Sequence, residues 1–245
     1  MLEEKQGLSF HTQFTASIES WVKLISAELN APVWLKIVPF LPKHEQQEKR
    51  NFLRRAMINL VTNKIQNKEI PTEAHFLPKA LLALNNLSTP GSSLKEFPLA
   101  KISLSHCKAH GAFICSPKKS ADNQFFGIDL EISDRVSTEI IKKVSTPLEV
   151  FEAPSPAHLW AAKESSFKSL PNADTQLIRD VLIHSWAPFL ETELCPTQKK
   201  QSFFQPNSSW QYQFANIEKN KKYTGRGWVI SFSNYTLALS YLDKN

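Results

Sequence analysis

Three observations predict an α+β fold. Amphipathic helical stripes are interspersed with short strand-like runs, some of those runs come in pairs around turns, and one strand pattern recurs about half a chain length later. The chain has 245 residues, of which 42% are hydrophobic, enough for one large core or two modest ones.

Phe10 to Leu29 sets Phe10, Phe14, Ile18, Trp21, Ile25 and Leu29 on one helical stripe. Val33 to Val38 reads as a strand. His44 to Ile65 is a second helix, with Phe52, Leu53, Ala56, Met57, Leu60 and Val61 facing inward and its basic residues facing elsewhere. Phe76 to Leu87 reads as helical, and Ser88 to Ser93, with Pro90 and Gly91, as a loop. Lys101 to Ser116 holds two strands around a turn at Lys108 to Gly111. The polar segment Ser116 to Gln124, with Pro117, Lys118 and Lys119, is the natural hinge, and it divides the chain into residues 1–122 and 123–245.

Beyond the hinge, Phe125 to Ile132 is a strand rich in β-branched and aromatic residues. Pro156 to Leu170 is a helix: Ser155 can cap it, Pro156 suits its first turn, and Pro171 ends it. Leu177 to Leu190 reads as another amphipathic helix, through Leu177, Ile178, Val181, Leu182, Ser185, Trp186 and Phe189. Gln211 to Ile217 and Gly227 to Ser233 are strands about a turn at Lys219 to Gly225. Ile102-Ser103-Leu104-Ser105-His106 is echoed by Ile230-Ser231-Phe232-Ser233-Asn234, and each is followed by a second apolar strand, Ala112 to Cys115 and Leu237 to Tyr241. Such spacing is what a duplicated half would give, and a cleft between halves is a common place for a ligand. Trp186, Trp210 and Trp228 read as core, and His184 as structural.

The chemistry concentrates in two segments. In the strand, Ile128 and Leu130 share one face while Asp129 and Glu131 share the other. On the helix, Trp160, Glu164 and Lys168 lie four residues apart and form one stripe. If the helix crosses the acidic face of the strand, three carboxylates converge with an ammonium beside them. Clustered carboxylates repel one another unless a cation joins them, and oxygen ligands suit Mg²⁺ or Mn²⁺. Taken singly, each segment reads more simply as a wet strand face or a helix-surface ion pair; the two in this order favour a site.

Lys and Arg total 29 against 23 Asp and Glu, a net charge of +6 that favours an acidic partner. No helix-turn-helix, zinc-finger or aromatic RNA-binding signature accompanies it, which argues against nucleic acid. Cys107, Cys115 and Cys195 are odd in number and widely spaced, so reduced cytoplasmic thiols are expected rather than a disulfide framework or zinc site. No apolar run is long enough to span a bilayer, and the charged start at Met1 to Lys5 does not read as a signal peptide.

At Gly127-Ile128-Asp129-Leu130-Glu131 and Trp160-Ala161-Ala162-Lys163-Glu164-Ser165-Ser166-Phe167-Lys168, the chain resembles the 4′-phosphopantetheinyl transferases of the long, surfactin-synthetase-activating type. Ser103-Leu104-Ser105-His106 matches the family's Ser-His strand end, and Lys49-Arg50-Asn51-Phe52-Leu53-Arg54-Arg55-Ala56 looks like its basic first-half helix. All occur in family order, across residues 49 to 168. Two positions depart: Ser92-Ser93 follow Gly91 where the family has Lys-Pro, and Ser169-Leu170-Pro171-Asn172 lacks the usual glycine.

The resemblance implies a pseudo-dimer of two similar α+β halves, each a small antiparallel sheet packed with helices, with the active-site cleft between them. It implies transfer of 4′-phosphopantetheine from coenzyme A to a serine of an acidic acyl or peptidyl carrier protein, by a monomer. By position, Asp129, Glu131 and Glu164 would hold Mg²⁺, with Mn²⁺ as a substitute. Glu164 would also take the serine proton, and Lys168 and Lys163 would stabilise phosphate charge. Ser105 and His106 would contact coenzyme phosphates, and Lys49, Arg50, Arg54 and Arg55 are candidates for the 3′-phosphate. Rival readings are a non-catalytic homologue that binds coenzyme A or a carrier, a nucleic-acid-binding protein, and a metal-dependent phosphate hydrolase.

Overall fold

The structure, a computed structural model, describes residues 18–29, 33–40, 45–67, 101–116, 126–171, 176–189, 208–218 and 221–243. The beginning of the first predicted helix, the helix expected at Phe76 to Leu87, the loop with Ser92 and Ser93, and all of the hinge after Ser116 lie outside these residues.

In chain order the elements are α1 (18–28), β1 (Trp34–Pro39), α2 (Gln46–Gln66), β2 (Lys101–His106), β3 (His110–Ser116), β4 (Phe126–Ile132), α3 (Thr138–Val144), α4 (Pro147–Glu152), α5 (Pro156–Lys168), β5 (Leu182–Pro188), β6 (Ser208–Glu218), β7 (Lys221–Phe232) and β8 (Tyr235–Leu242). They form an α+β fold with two antiparallel sheets, one ordered β1-β3-β2 and the other β4-β8-β7-β6-β5. The two strand pairs carrying the repeated pattern are both hairpins, β2 with β3 and β7 with β8.

Apolar burial divides between the faces of these sheets. Ile128, Leu130, Leu237, Leu239, Trp228 and Ile230 cover one face of the larger sheet and pack with Ile18, Trp21 and Ile25 of α1 and with Ile37 and Ile114 of the smaller sheet. The opposite face of the larger sheet, through Tyr212, Phe214, Val229 and Ala238, packs on Leu159, Ala161 and Ala162 of α5. On the smaller sheet, Val38 and Phe113 pack on Leu53 and Met57 of α2.

The sheets meet edge to edge. β4 pairs with β8 along one side only. Along the other side the Ile128 amide donates to Ser103 Oγ at 3.1 Å, and the Leu130 amide donates to Ser105 Oγ at 3.2 Å. Two serine hydroxyls of β2 therefore take the place of a neighbouring strand, and amides that would be costly to bury unpaired are satisfied.

α5 lies very close to β4. A Cβ at Gly127 would overlap the Ser165 carbonyl, so only glycine admits this approach. The helix face turned to the sheet is small: Ala161, Ala162, Ser165 and Ser166 are fully buried. The Tyr212 hydroxyl bridges Ser165 Oγ at 2.9 Å and Ser166 Oγ at 3.2 Å. The predicted start of α5 is present, with Ser155 accepting the His158 amide and Pro156 in the first turn.

Three sequence expectations are corrected. The segment read as a helix over Leu177 to Leu190 is a 3₁₀ turn, Ile178–Asp180, followed by strand β5. β5 pairs with β6 through Leu182↔Ala215 and Ile183↔Phe214, with a bulge between His184 and Ala187 where Ser185 adopts φ 57°. Val181 and Ile183 point inward and Leu182 outward, so a two-residue period governs up to the bulge. The bulge then shifts the phase of the later apolar residues, and the whole run mimics a helical stripe. Secondly, Lys221 to Gly225 belong to β7 rather than to a turn, because β6 and β7 stay paired from Ser208↔Ser231 to Glu218↔Lys221. Thirdly, Phe52 does not face inward: it is 41% exposed and meets the edge of the Phe40 ring at 6.1 Å. Helices α3 and α4 were not anticipated. Of the three tryptophans, Trp228 is fully buried, while Trp186 is partly buried against Tyr212 and Trp210 is half-buried.

Candidate functional site

Alternation along β4 turns Asp129 and Glu131 away from Ile128 and Leu130, and α5 lies across that acidic face. Four-residue spacing on α5 then brings Glu164 and Lys168 to it. The Lys168 ammonium is 2.6 Å from Asp129 Oδ1 and 3.7 Å from Glu164 Oε2. It also donates to the Ile128 carbonyl at 3.3 Å and to Ser105 Oγ at 3.4 Å. These groups line a pocket of about 230 Å³ with Leu104, Ser105 and His106 of β2 and Arg50, Leu53 and Arg54 of α2. The lining comes from both sides of the predicted hinge: carboxylates and Lys168 from α5 and β4, guanidinium and imidazole groups from α2 and β2. The volume is below the roughly 300–1,000 Å³ of pockets that enclose a whole drug-sized ligand. It suits the charged part of a larger molecule.

The field in the pocket is unbalanced in a telling way. Burial, then the Asp129 and Glu164 charges, push the Glu131 carboxyl up to about 7, against the pull of Lys168. Burial and Asp129 also raise Glu164, again against Lys168. Burial alone would lower the Lys168 ammonium, but Asp129, Glu164 and Glu131 together hold it above its ordinary value. Burial and the neighbouring Arg50, Lys168 and Lys49 lower His106, favouring its neutral form. Lys168 alone thus does not cancel the mutual repulsion of the three carboxylates, which a further cation beside them would relieve.

Asp129 is 2% exposed. Its Oδ1 accepts from Lys168 at 2.6 Å and from the Ser105 hydroxyl at 2.8 Å. Its Oδ2 is buried with no hydrogen-bond partner among the described residues. A buried carboxylate oxygen without a donor is expensive unless something cationic meets it, and an all-oxygen donor set suits a hard divalent ion. The donor chemistry therefore suits a hard divalent ion such as Mg²⁺, for which Asp129, Glu131 and Glu164 are the candidate oxygen ligands. As the side chains stand, no three His, Cys, Asp or Glu groups among the described residues are drawn into a ready cluster; the Lys168 ammonium occupies the space between Asp129 and Glu164.

Other candidate residues are placed differently. Lys163 is 0% exposed and does not reach the pocket. Its ammonium pairs with Glu149 Oε1 at 2.7 Å and donates to the Val181 carbonyl. It is a structural cation, not a phosphate contact, because it lies about 140° around the helix from Lys168 at 3.6 residues per turn. Glu149 completes this buried junction by accepting the Ile183 amide at 2.9 Å and the Thr146 amide at 2.8 Å. Arg50 and Arg54 line the pocket, whereas Arg55 is exposed and Lys49 donates to the Lys108 carbonyl at 2.9 Å with its ammonium 5.8 Å from the Phe40 ring centre. His184 is half-buried beside Ser185, away from this pocket.

Two contributors escaped the sequence reading. Ser103 stands out in the sequence only as part of the repeated pattern, yet it ties the two sheets. Glu149 carried a usable signal: Thr146-Pro147-Leu148-Glu149 is a capping box, and both of its reciprocal hydrogen bonds form. No protein-family model matches this chain, and no curated protein matches it.

Proposed function

We propose that this protein transfers 4′-phosphopantetheine from coenzyme A to a serine of an acyl or peptidyl carrier protein, as a magnesium-dependent 4′-phosphopantetheinyl transferase. One observation carries the reading: Asp129, Glu131, Glu164 and Lys168, separated in sequence, line one pocket whose other side carries His106, Arg50 and Arg54. An acidic floor with a cationic rim suits a diphosphate bound together with a divalent ion. The occurrence of the family's strand and helix motifs on the two elements that form the floor supports it further. Two hairpins bearing one strand pattern are compatible with the duplicated architecture the resemblance implies.

The bond broken joins the two phosphates of coenzyme A. The carrier serine oxygen forms a new bond to the phosphorus that bears pantetheine, adenosine 3′,5′-bisphosphate departs with the bond's electron pair, and the serine proton goes to a base. Mg²⁺ bound by the three carboxylates would neutralise the diphosphate, the main electrostatic obstacle to attack by an oxygen nucleophile. Glu164, whose proton affinity is raised by burial, is suited to accept the serine proton. Lys168 supplies a fixed positive charge beside the reacting phosphates. Neutral His106 can donate one hydrogen bond to a phosphate oxygen, and Arg50 and Arg54 can form the fork-shaped contacts that phosphates favour. No nucleophile of the chain itself is required, since the attacking hydroxyl belongs to the carrier.

The carrier needs a docking face. α3 exposes Ile140 beside Lys142 and Lys143, with Glu139 also exposed, and α4 exposes Leu148 and Phe151, the last 86% exposed, with Glu152 at its end. An apolar surface flanked by lysines suits an acidic partner that buries apolar side chains. Among the described residues no helix is long and apolar enough to cross a membrane.

The test is the intact mass of an apo acyl carrier protein after incubation with this protein, coenzyme A and Mg²⁺, beside a Glu164→Gln control. A gain of one phosphopantetheine with the wild type alone is expected. Binding of coenzyme A without transfer to any of several apo carriers would replace this reading by a non-catalytic one.

A further inference from the structure

We infer that Ser105 is a positioning residue for the Asp129 carboxylate, holding Oδ1 so that Oδ2 is the oxygen presented to a divalent cation, and that it is not a phosphate ligand. This rests on the divalent-ion site proposed above.

A serine hydroxyl has one proton to donate and two lone pairs to accept with. Ser105 uses all three. It donates to Asp129 Oδ1 at 2.8 Å, accepts from the Leu130 amide at 3.2 Å and accepts from Lys168 at 3.4 Å. No capacity remains for a phosphate oxygen, and the residue is only 7% exposed. The Leu130 amide fixes the hydroxyl oxygen in place, because that amide belongs to the edge of β4, one residue beyond Asp129. The hydroxyl proton is thereby aimed at one carboxylate oxygen. Asp129 Oδ1 has its two donors and Oδ2 has none among the described residues. A carboxylate fixed through one oxygen and unpartnered at the other is what a single-oxygen metal ligand requires, and such outer partners commonly set ligand orientation.

Ser103 is an internal control. It lies two residues before Ser105 on the same strand face and accepts the Ile128 amide at 3.1 Å, which is the same edge-tying bond. No bond joins it to Asp129. Ser103→Ala and Ser105→Ala thus both remove one tie between the sheets, but only the second releases the carboxylate.

The experiment measures Mn²⁺ binding to the full chain without coenzyme or carrier, by electron paramagnetic resonance of the free ion, together with melting curves. Both alanine variants should melt lower than wild type. Ser103→Ala should bind Mn²⁺ as wild type does, Ser105→Ala should bind it roughly 10- to 100-fold more weakly, and Ser105→Thr, which keeps the hydroxyl, should recover the affinity. Should Ser105→Ala not fold, Ser105→Cys makes the same comparison, since a thiol fills the space as a weak donor and is a poor ligand for a hard ion. Equal Mn²⁺ affinity of the two alanine variants overturns the inference. So does an unchanged Mn²⁺ affinity in Ser105→Ala with a raised KM for coenzyme A, which would make Ser105 a substrate contact. Absence of Mn²⁺ binding by the wild type would instead remove the cation site itself.

Discussion

The ammonium of Lys168 lies 2.6 Å from Asp129 Oδ1, joining the last turn of α5 to the middle of β4. This contact couples a helix and a strand 39 residues apart in sequence and centres the pocket on one charge pair. Asp129→Asn keeps the size of the side chain and removes its charge. Transfer to an apo carrier is expected to fall by about two decades or more, the usual cost of losing a key transition-state contact, with an unchanged far-ultraviolet circular dichroism spectrum. Near-normal turnover in that variant would remove the metal-holding role of Asp129.

Gly127 is expected to tolerate no side chain. Its would-be Cβ collides with the Ser165 carbonyl, which is backbone and cannot rotate aside. Gly127→Ala must therefore lift α5 from β4, at about 1–3 kcal/mol or more. Urea denaturation gives the stability, and a parallel loss of Mn²⁺ affinity would show that the lift also separates Glu164 from Asp129. A variant as stable as wild type would mean that the strand and helix are not so close.

The buried pair Lys163–Glu149 is expected to matter for stability and not for coenzyme binding. Lys163→Met leaves Glu149 buried without its cation, and breaking such a pair costs about 3–5 kcal/mol. Lys163→Met with Glu149→Met should recover part of that loss against Lys163→Met alone, although the amides of Ile183 and Thr146 then lose an acceptor. In a double-mutant cycle read by denaturation, additivity of the two losses would refute the coupling. Among folded molecules the KM for coenzyme A should be unchanged.

Glu131 supplies a pH dependence of defined sign. Its folded-state pKa is about 7, against 4.5 ordinarily, because burial and the charges of Asp129 and Glu164 outweigh Lys168. Between these values the folded state holds a proton that the unfolded chain has released. This group's contribution to stability therefore falls as pH rises through that window and is level above it. Glu131→Gln cannot ionise, so its melting temperature should gain on wild type between about pH 5 and about pH 8. Mg²⁺ at the higher pH should reverse the order by binding the ionised wild-type site. A difference between the two proteins that does not vary with pH would show that Glu131 titrates normally.

Much of the fold near the site was legible because it follows from local periodicity. Two-residue alternation put Asp129 and Glu131 on one face of β4, and the spacing of Glu164 and Lys168 put both on one stripe of α5. Ser155, Pro156 and Pro171 bounded the helix through capping chemistry that requires no distant partner. Where the reading failed, a distant partner was decisive. The run from Leu177 to Leu190 has apolar residues that fit a helix, and its strand exists because β6 supplies the hydrogen bonds and a bulge at Ser185 absorbs the phase error. The same is true of Lys163, which sits in the same motif as Lys168. Sequence identity alone made them equivalent cations, but their angular separation on the helix sends one to Glu149 and the other to Asp129.

The sequence by itself determined which residue types could meet: carboxylates at alternate strand positions, and an acid and a base one helical turn apart. Only the tertiary structure decided which of them do meet. The serine hydroxyls of β2 satisfy the open edge of β4, Lys168 rather than Lys163 enters the pocket, and Arg50 and Arg54 rather than Arg55 line its rim. The reason is physical. Periodicity sets the direction of a side chain relative to its own element, whereas partner, burial and charge state depend on how separate elements pack.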